Sequence, residues 1–172
     1  MPEPKRLSRL IRDARPDELD EAARVMLAAY QQYQASFPPG RWDAYAADIL
    51  DVRSRLPHAE LLIAEEAGRI VGAVTFYPDG SRSAVEGWPP TWAGVRLLAV
   101  HPDARGRGVG EALMRECMAR SRKRGVKTLG LHTTRIMAVA QRMYERMGFV
   151  RAPEYDFHPA PRIVVMAYRM KL

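Results

Sequence analysis

The sequence predicts one α/β domain in which helices flank a mixed β-sheet. Apolar runs of strand length alternate with stretches of helical periodicity along most of the chain. Two neighbouring runs indicate a β-hairpin, which makes the sheet mixed rather than purely parallel. The 172 residues can bury one substantial core, and no repeat, low-complexity tract or linker divides them. We therefore expect a single domain over residues 1–172.

The first half of the chain is expected to contribute strands and two helices. Pro16 suits the first turn of a helix, and acidic residues follow it where the helix dipole favours negative charge. The segment Phe37–Gly40, with two prolines, then interrupts the helical pattern. In order, the predicted elements are a strand over Leu7–Arg12, a helix from Pro16 to Tyr33, a helix over Trp42–Ile49, and hairpin strands over Leu61–Glu65 and Ile70–Tyr77.

The second half is expected to alternate strands and helices. Gly125 and Gly148 can close the two helices, because glycine accepts the left-handed backbone conformation that often ends a helix. In order, the predicted elements are a loop over Pro78–Pro90, a strand over Trp92–Val100, a helix over Gly110–Ser121, a strand over Val126–His132, a helix over Ile136–Met147, a connection over Pro153–Pro161 and a strand over Ile163–Met170.

The most informative stretch is Val95–Leu113, where an apolar strand meets a proline, then an arginine- and glycine-rich turn, then a helix. Glycine at 106, 108 and 110 lets the main chain adopt unusual dihedral angles and approach a ligand closely. The first N–H groups of a helix lack intrahelical partners, and the helix dipole favours anions there. The turn therefore indicates a phosphate-binding site. Its spacing fits neither the G-x-G-x-x-G dinucleotide fingerprint nor a G-x-x-x-x-G-K-[ST] loop.

Two motifs of this chain resemble those of the GCN5-related N-acetyltransferase (GNAT) superfamily. Arg105–Gly110, with the sequence Arg-Gly-Arg-Gly-Val-Gly, is similar to the family's [QR]-x-x-G-x-[GA] acyl-CoA loop after its fourth strand. Ala140–Phe149, with the sequence Ala-Gln-Arg-Met-Tyr-Glu-Arg-Met-Gly-Phe, is similar to the family's A-x-x-L-Y-E-x-x-G-F helix end. The order and separation of the two motifs make the resemblance specific. It implies a GNAT-like mixed sheet flanked by helices.

The resemblance implies that acetyl-CoA, or another acyl-CoA, donates an acyl group to an amine. In the family the pantetheine arm pairs with the fourth strand, and a tyrosine matching Tyr144 protonates the leaving thiolate. A phenol, with a pKa of about 10, keeps its proton at neutral pH and can act as this acid. Tyr144 also continues an apolar helical stripe, so a packing role stays open. By resemblance, Tyr144 is the catalytic residue, and the cofactor-binding residues are Leu98, Ala99, Val100, Arg105, Gly106, Arg107, Gly108, Val109, Gly110 and Tyr144.

Two positions depart from the family pattern. Gly94 stands where many members carry a glutamate that serves as general base. Met137 stands where many carry an asparagine that holds the ligand. Proton release through ordered water, or an amine of low pKa, would need no dedicated base. The candidate replacement bases, each individually more often a solvated or structural residue, are Asp79, Glu86, His101 and His132.

The acceptor amine is expected to bind opposite the acyl donor. The segments around that position are the first two helices, the loop over Pro78–Pro90 and the connection over Pro153–Pro161. Aromatic side chains there could line an apolar cleft, although interior packing explains most of them equally well. These aromatic residues are Tyr30, Tyr33, Phe37, Trp42, Trp88, Trp92 and Tyr155.

Composition disfavours several other classes of protein. The formal net charge of +7 suits an anionic ligand, but the arginines are dispersed, and the dense run Arg120–Arg124 is interpreted as a solvated last helical turn rather than a nucleic-acid patch. No apolar run approaches the roughly 18 residues of a membrane span, and no secretion signal is visible. Cys117, the only cysteine, suits a buried position and a reducing cytoplasm. We expect a cytoplasmic protein without a metal, and a homodimer is compatible with the sequence.

Two functions from different classes follow. The leading hypothesis is an acyl-CoA-dependent N-acyltransferase, with acetyl as the default group and an amine of a small molecule, peptide or protein as acceptor. The alternative is a non-catalytic acyl-CoA sensor or scaffold that retained the loop and lost turnover, and the missing glutamate at Gly94 keeps this alternative open. Thiol release from acetyl-CoA in the presence of amines distinguishes the two.

Overall fold

The computed structural model describes residues 8–84 and 87–172, and within them a mixed β-sheet is flanked by helices on both faces. This confirms the predicted fold class. Leu7, the first residue of the first predicted strand, and Glu86, a candidate base, lie outside the described residues.

The sheet contains eight strands in the described part of the chain. They are β1 (Arg9–Asp13), β2 (Glu60–Glu66), β3 (Arg69–Tyr77), β4 (Ala93–Val100), β5 (Thr128–Thr133), β6 (Val150–Arg151), β7 (Phe157–Ala160) and β8 (Ile163–Lys171). Their order across the sheet is β1-β2-β3-β4-β5-β8-β6, and β7 pairs with β8. The predicted hairpin is β2 and β3, and β4 with β5 forms the parallel pair that makes the sheet mixed.

Four of the five described helices lie close to their predicted positions, and the sequence did not predict the remaining one, a four-residue helix over Val52–Arg55. The five are α1 (Leu19–Tyr30), α2 (Arg41–Leu50), α3 (Val52–Arg55), α4 (Val109–Lys123) and α5 (Ala138–Met147). The first predicted helix ends as an α-helix three residues early, because Gln31–Ser36 tightens into a 3₁₀ helix before the two prolines. The sequence did not predict β6 and β7, since β6 has only two residues and β7 contains a proline.

Alternation along the central strands divides the core into two layers. Leu62 and Val95 belong to a cluster with α4 and α5, whereas Ile63 and Ala73 belong to a second cluster with α1 and α2. Successive side chains of a strand point to opposite faces of the sheet, so both faces of the central strands are buried. Cys117 is fully buried in the first of these clusters, where burial raises the pKa of its thiol.

The strands β4 and β5 separate after a short paired segment. Their pairing covers Ala93–Val95 of β4 and Leu129–Leu131 of β5. A bulge follows in β4, where Leu97 has a φ of 56° and the register against β3 shifts. Past this bulge the edge of β4 that faces β5 has no strand partner among the described residues. A wedge therefore opens at the carboxyl ends of the two parallel strands, which is where α/β sheets commonly bind ligands.

Ion pairs connect the start of the chain to the rest of the fold. Arg120, predicted as part of a solvated turn, is only partly exposed and lies 2.7 Å from Asp13 and 2.6 Å from Glu60, which links α4 to β1 and β2. The guanidinium of Arg12 lies 2.7 Å from Glu18 and 2.5 Å from Glu65. Its hydrogen bonds are the main reason that the pKa of the Glu18 carboxyl falls from an ordinary 4.5 to about 2.

The Glu18 carboxylate should make the protein sensitive to acid. Because its pKa is lower in the folded protein, its contribution to stability is present above pH 4.5 and is lost as the pH falls towards about 2. We expect Glu18→Gln to lower the free energy of unfolding at neutral pH and to flatten the loss of stability across that range. Urea denaturation at a series of pH values measures this. Glu21→Gln, which changes an exposed carboxylate in the first turn of α1, is the control, and identical pH profiles for the two variants would contradict the assignment.

Candidate active site

The wedge between β4 and β5 leads into a cleft of about 500 Å³. Leu98 and Val100 of β4 form one wall, and the turn over Arg105–Gly110 closes one end. Tyr30, at the end of α1, and Tyr144, on α5, lie on the other walls. The cleft therefore brings together residues from both predicted motifs.

The arginine- and glycine-rich turn has the unusual backbone conformation that its sequence predicts at two of its three glycines, whereas Gly110 lies within α4 and does not have a positive φ. Gly106 and Gly108 have φ angles of 73° and 74°, in the left-handed region that residues with a side chain rarely adopt. Gly108 is the N-cap of α4, and no described side chain caps this helix end. Gly108, Val109 and Gly110 line the cleft, so the first N–H groups of α4 lie at its end. This end can bind an anion through main-chain groups and the helix dipole.

The two arginines of the turn have different surroundings. Arg105 lines the cleft, and its Nη2 donates a hydrogen bond to the carbonyl oxygen of Ala29 at 3.1 Å. Arg107 instead lies 3.0 Å from a carboxylate oxygen of Glu66, and its carbonyl oxygen accepts a hydrogen bond from Arg9 at 2.7 Å. Arg105 is thus placed to meet a ligand, whereas Arg107 ties the turn to β1 and β2.

The main-chain groups of β4 alternate between its two edges. The N–H of His101 donates to Val71 of β3 at 2.8 Å, and Ala99 is paired with Ala73 of the same strand. By alternation, the N–H and C=O groups of Leu98 and Val100 point to the edge that faces the cleft. Of the three β4 residues that the resemblance names, Ala99 thus has its main chain turned to β3, and the other two line the cleft.

Tyr144 is both buried and part of the cleft wall. Its side chain is 5% exposed and packs edge-on against Phe149, with ring centroids 5.9 Å apart. The structure thus accommodates both interpretations of the motif, since the same ring packs in the core and lines the cleft. Met137, at the family's asparagine position, precedes α5 and also lines the cleft.

The space beside Gly94, where many family members carry a glutamate, is filled by Trp88. A Cβ built on Gly94 would lie 3.0 Å from the Trp88 ring, and one built on Gly130, its partner in β5, would lie 2.8 Å from it. Trp88 is 2% exposed, and its indole packs against both glycines. The only signal of this packing in the sequence is a glycine in each of two predicted strands. A larger residue at either position would have to displace the indole.

The described candidate bases have different surroundings. Asp79 accepts hydrogen bonds from the N–H and hydroxyl of Ser81 at 3.0 and 2.6 Å, which is a turn-capping role. His101 accepts a hydrogen bond from the N–H of Asp103 at 3.2 Å and likewise caps a turn. His132 lines the cleft and stacks on Trp88 at 4.4 Å. Its Nε2 lies 2.8 Å from the carbonyl oxygen of Tyr155, and since a carbonyl only accepts, this nitrogen carries the hydrogen.

The aromatic residues expected around the acceptor form two clusters rather than one. Trp88 and Trp92 stack at 5.4 Å, and Tyr155 lies 4.9 Å from Trp92. The second cluster comprises Tyr30, Tyr33, Phe37 and Trp42 of the original set together with Tyr45. Most of these rings pack against one another, which agrees with the interpretation that they serve interior packing.

Two hydrogen bonds of β4 are not indicated by the sequence. The hydroxyl of Tyr30 donates a hydrogen bond to the carbonyl oxygen of Leu98 at 3.1 Å. Arg96 of β4 donates to a carboxylate oxygen of Asp48 on α2 at 2.5 Å. Both contacts join residues far apart in the chain, and no local pattern marks them.

The described residues contain neither a membrane-spanning helix nor a cluster of metal ligands. None of the described helices combines the length and the apolar character that crossing a bilayer requires. No cluster of three or more His, Cys, Asp or Glu side chains in that part of the chain could hold a metal ion.

The family of the chain follows from its sequence. A family model described as the acetyltransferase (GNAT) family matches residues 26–149, which is well over half of the chain. The chain belongs to the acetyltransferase (GNAT) family. The matched range contains the turn at the end of the cleft and Tyr144, which are the two elements that carried the resemblance.

Relatives and solved structures agree with this membership. The chain is 30% identical over 115 residues to an uncharacterized N-acetyltransferase of Schizosaccharomyces pombe, covering 66% of each. It is 35% identical over 105 residues to a mycothiol acetyltransferase of Cellulomonas flavigena, of whose length it spans only 30%. PaiA N-acetyltransferase of Thermoplasma acidophilum, solved with coenzyme A, has a TM-score of 0.75 at 15% identity and covers 96% of this chain and 100% of its own.

A second solved structure also shares the fold. A GNAT family acetyltransferase of Brucella melitensis, solved with acetyl-CoA, has a TM-score of 0.65 at 23% identity, covering 96% of this chain and 88% of its own. At this identity the likeness shows that the two chains share a fold.

The packing of Trp88 on the two glycines can be tested with a double-mutant cycle. We expect Gly130→Ala to lower the free energy of unfolding by about 1–3 kcal/mol, because its Cβ would overlap a buried ring. In a Trp88→Ala background the same change should cost almost nothing. Urea denaturation of the unaltered protein, the two single variants and the double variant gives the coupling free energy between residues 88 and 130. An equal cost of Gly130→Ala in both backgrounds would refute the contact.

Proposed function

We propose that this protein is an N-acetyltransferase that transfers the acetyl group of acetyl-CoA to an amine of a small molecule, peptide or protein. The observation that carries the proposal is the order of groups along one cleft. Main-chain N–H groups of α4 lie at one end, the edge of β4 that lacks a strand partner among the described residues follows, and Tyr144 lines the same cleft. A pyrophosphate, a pantetheine arm and a leaving thiolate need these groups in that order.

The turn over Arg105–Gly110 is proposed to hold the pyrophosphate of coenzyme A. Gly106 and Gly108 bring the main chain to the cleft without side chains, and Val109 and Gly110 supply N–H groups of the first helical turn. Arg105 adds a charge-assisted hydrogen bond from the side. Arg107 acts on the same loop through Glu66, which holds the turn against β2.

The edge of β4 that faces the cleft is proposed to hold the pantetheine arm as an additional strand would be held. Leu98 and Val100 direct main-chain groups to this edge, whereas Ala99 contributes to the packing beneath it. Such pairing fixes the thioester along the strand and limits its rotation. Preorganised geometry of this kind favours transfer, because the acyl group no longer has to be oriented during the reaction.

The acetyl transfer requires one bond to form and one to break. The nitrogen of the neutral amine attacks the thioester carbonyl carbon, a C–N bond forms, and the C–S bond breaks to release the thiolate. The N–H of Leu98 is a donor that can stabilise negative charge on the carbonyl oxygen. Tyr144 donates its phenolic proton to the sulfur and regains a proton from solvent.

The proton of the amine is proposed to leave without a carboxylate at the family's glutamate position. Trp88 fills the space beside Gly94, and Asp79 and His101 cap turns. An acceptor amine that enters in its neutral form needs no strong base. Proton release to solvent after attack is therefore sufficient for the chemistry.

The acceptor is proposed to approach between the two aromatic clusters on the α1 and α2 side of the sheet. The names of the relatives support an amine acceptor in general terms, because they include an N-acetyltransferase. Cys117, a buried and unpaired thiol, is compatible with action in the cytoplasm. We propose that residues 1–172 act as one catalytic domain.

The two arginines of the turn provide a matched test of the coenzyme A site. We expect Arg105→Ala to raise the Kd for coenzyme A by about 10- to 100-fold, since a hydrogen bond to a charged group contributes about 1.5–3 kcal/mol. Arg107→Ala removes the same side chain two positions away and should change the Kd much less. Isothermal titration calorimetry measures both. If Arg107→Ala weakened binding as much as Arg105→Ala did, the assignment of the ligand-facing arginine would be wrong.

The role of Tyr144 can be tested by removing only its hydroxyl group. Tyr144→Phe keeps the ring that packs against Phe149, so we expect near-normal thermal stability and near-normal binding of acetyl-CoA. The rate of the chemical step should fall at least about ten-fold, because positioned acid catalysis is typically worth about 10²–10⁴-fold.

The measurement is thiol release from acetyl-CoA in single turnovers. A panel of amines is first screened with the unaltered protein to find one that accelerates this release. If no amine does so, the proposed transferase activity is refuted. A Tyr144→Phe rate equal to that of the unaltered protein would leave Tyr144 as a packing residue.

A further inference from the structure

We propose that Tyr30 restricts the protein to short acyl chains, acetyl foremost, by closing the acyl end of the cleft from the α1 side. This inference rests on the proposed function, because it takes the cleft to be an acyl-CoA site. It adds the residue that sets the permitted length of the acyl group.

The cleft has a direction that locates its acyl end. The turn over Arg105–Gly110 marks the phosphate end, and Val100 and then Leu98 follow along β4. An arm that pairs with β4 advances along this edge by about 3.3 Å per residue. It therefore carries the thioester from the turn towards Leu98. The Tyr30 hydroxyl lies at that point, because it is bonded to the carbonyl oxygen of Leu98 at 3.1 Å.

Contacts on several sides hold the Tyr30 ring in place. It is the last residue of α1 and is 8% exposed. Its ring meets those of Tyr33 and Tyr45 edge-on, with centroids 6.1 and 6.0 Å away. The hydrogen bond to Leu98 fixes the other end of the side chain. Moving the ring out of the cleft would break this bond and separate the aromatic cluster, so the ring forms a wall rather than a movable gate.

The wall presented by Tyr30 is uncharged. Burial raises the pKa of its phenol well above the ordinary value, so the hydroxyl stays protonated and remains a donor to Leu98. Tyr144 lines the same cleft from the other layer of the core. An acyl group at Leu98 is thus bounded by aromatic rings from both sides of the sheet, and an acetyl methyl requires the least space between them.

The expected size of the effect follows from how pockets discriminate methylene groups. One extra methylene in a closed apolar pocket typically changes specificity by about 10- to 200-fold. We expect the unaltered protein to bind acetyl-CoA at least as tightly as coenzyme A, and to bind hexanoyl-CoA at least about ten-fold more weakly than acetyl-CoA.

The experiment measures the binding of coenzyme A, acetyl-CoA, butyryl-CoA and hexanoyl-CoA by isothermal titration calorimetry, which needs no acceptor. Tyr30→Leu removes the ring, and Tyr30→Met is a second variant should the first fail to fold. Tyr30→Phe keeps the ring and loses only the bond to Leu98. Phe37→Ala removes another ring of the same cluster that does not line the cleft.

We expect Tyr30→Leu or Tyr30→Met to lower the ratio of the hexanoyl-CoA Kd to the acetyl-CoA Kd at least about ten-fold. Tyr30→Phe and Phe37→Ala should retain the ratio of the unaltered protein. Equal affinity of the unaltered protein for all four ligands would overturn the inference, as would an unchanged ratio when the ring is removed. Failure of coenzyme A itself to bind would instead refute the proposed function, and the inference with it.

Discussion

The separation of β4 from β5 after Val95 is the constraint on which the rest of the site depends. In a continuous sheet each edge N–H and C=O group is used by the neighbouring strand, and no main chain is left for a ligand. The bulge at Leu97 ends this pairing while β4 stays bonded to β3 and β5 to β8. A cleft with a peptide edge on one wall results. The helices α1 and α5 then supply its remaining walls, and the start of α4 supplies its anion-binding end.

Several arginines of this basic chain form ion pairs that join segments of the fold. Arg9, Arg12, Arg107 and Arg120 all form ion pairs with carboxylates of β1, β2 or the adjoining segments. These ion pairs link β1, β2, the glycine-rich turn and α4. Arg105 differs from them, because its guanidinium reaches the cleft and bonds to a main-chain carbonyl rather than to a carboxylate. Net charge alone therefore says little about where an anion would bind.

The indole of Trp88 fills the region beside the paired part of β4. It covers Gly94 and Gly130 and stacks on His132, so rings fill this region. Position 94 thus lacks a side chain, and the indole of Trp88, from the loop before β4, occupies the space where a glutamate side chain would lie. Under the proposed function, an acceptor would meet an aromatic surface here. No carboxylate would be needed to remove a proton from its amine, because the amine enters in its neutral form.

The sequence by itself determined the fold class, the hairpin, the turn at Arg105–Gly110 and the helix that carries Tyr144. These features depend on local rules, since periodicity, glycine conformation and helix ends are properties of neighbouring residues. Tertiary structure decided which arginine of the turn faces the cleft, that Trp88 fills the space beside Gly94, and that Tyr30 bonds to β4. Each of these depends on contacts between segments far apart in the chain, and a one-dimensional pattern does not record which side chains the folded sheet brings together.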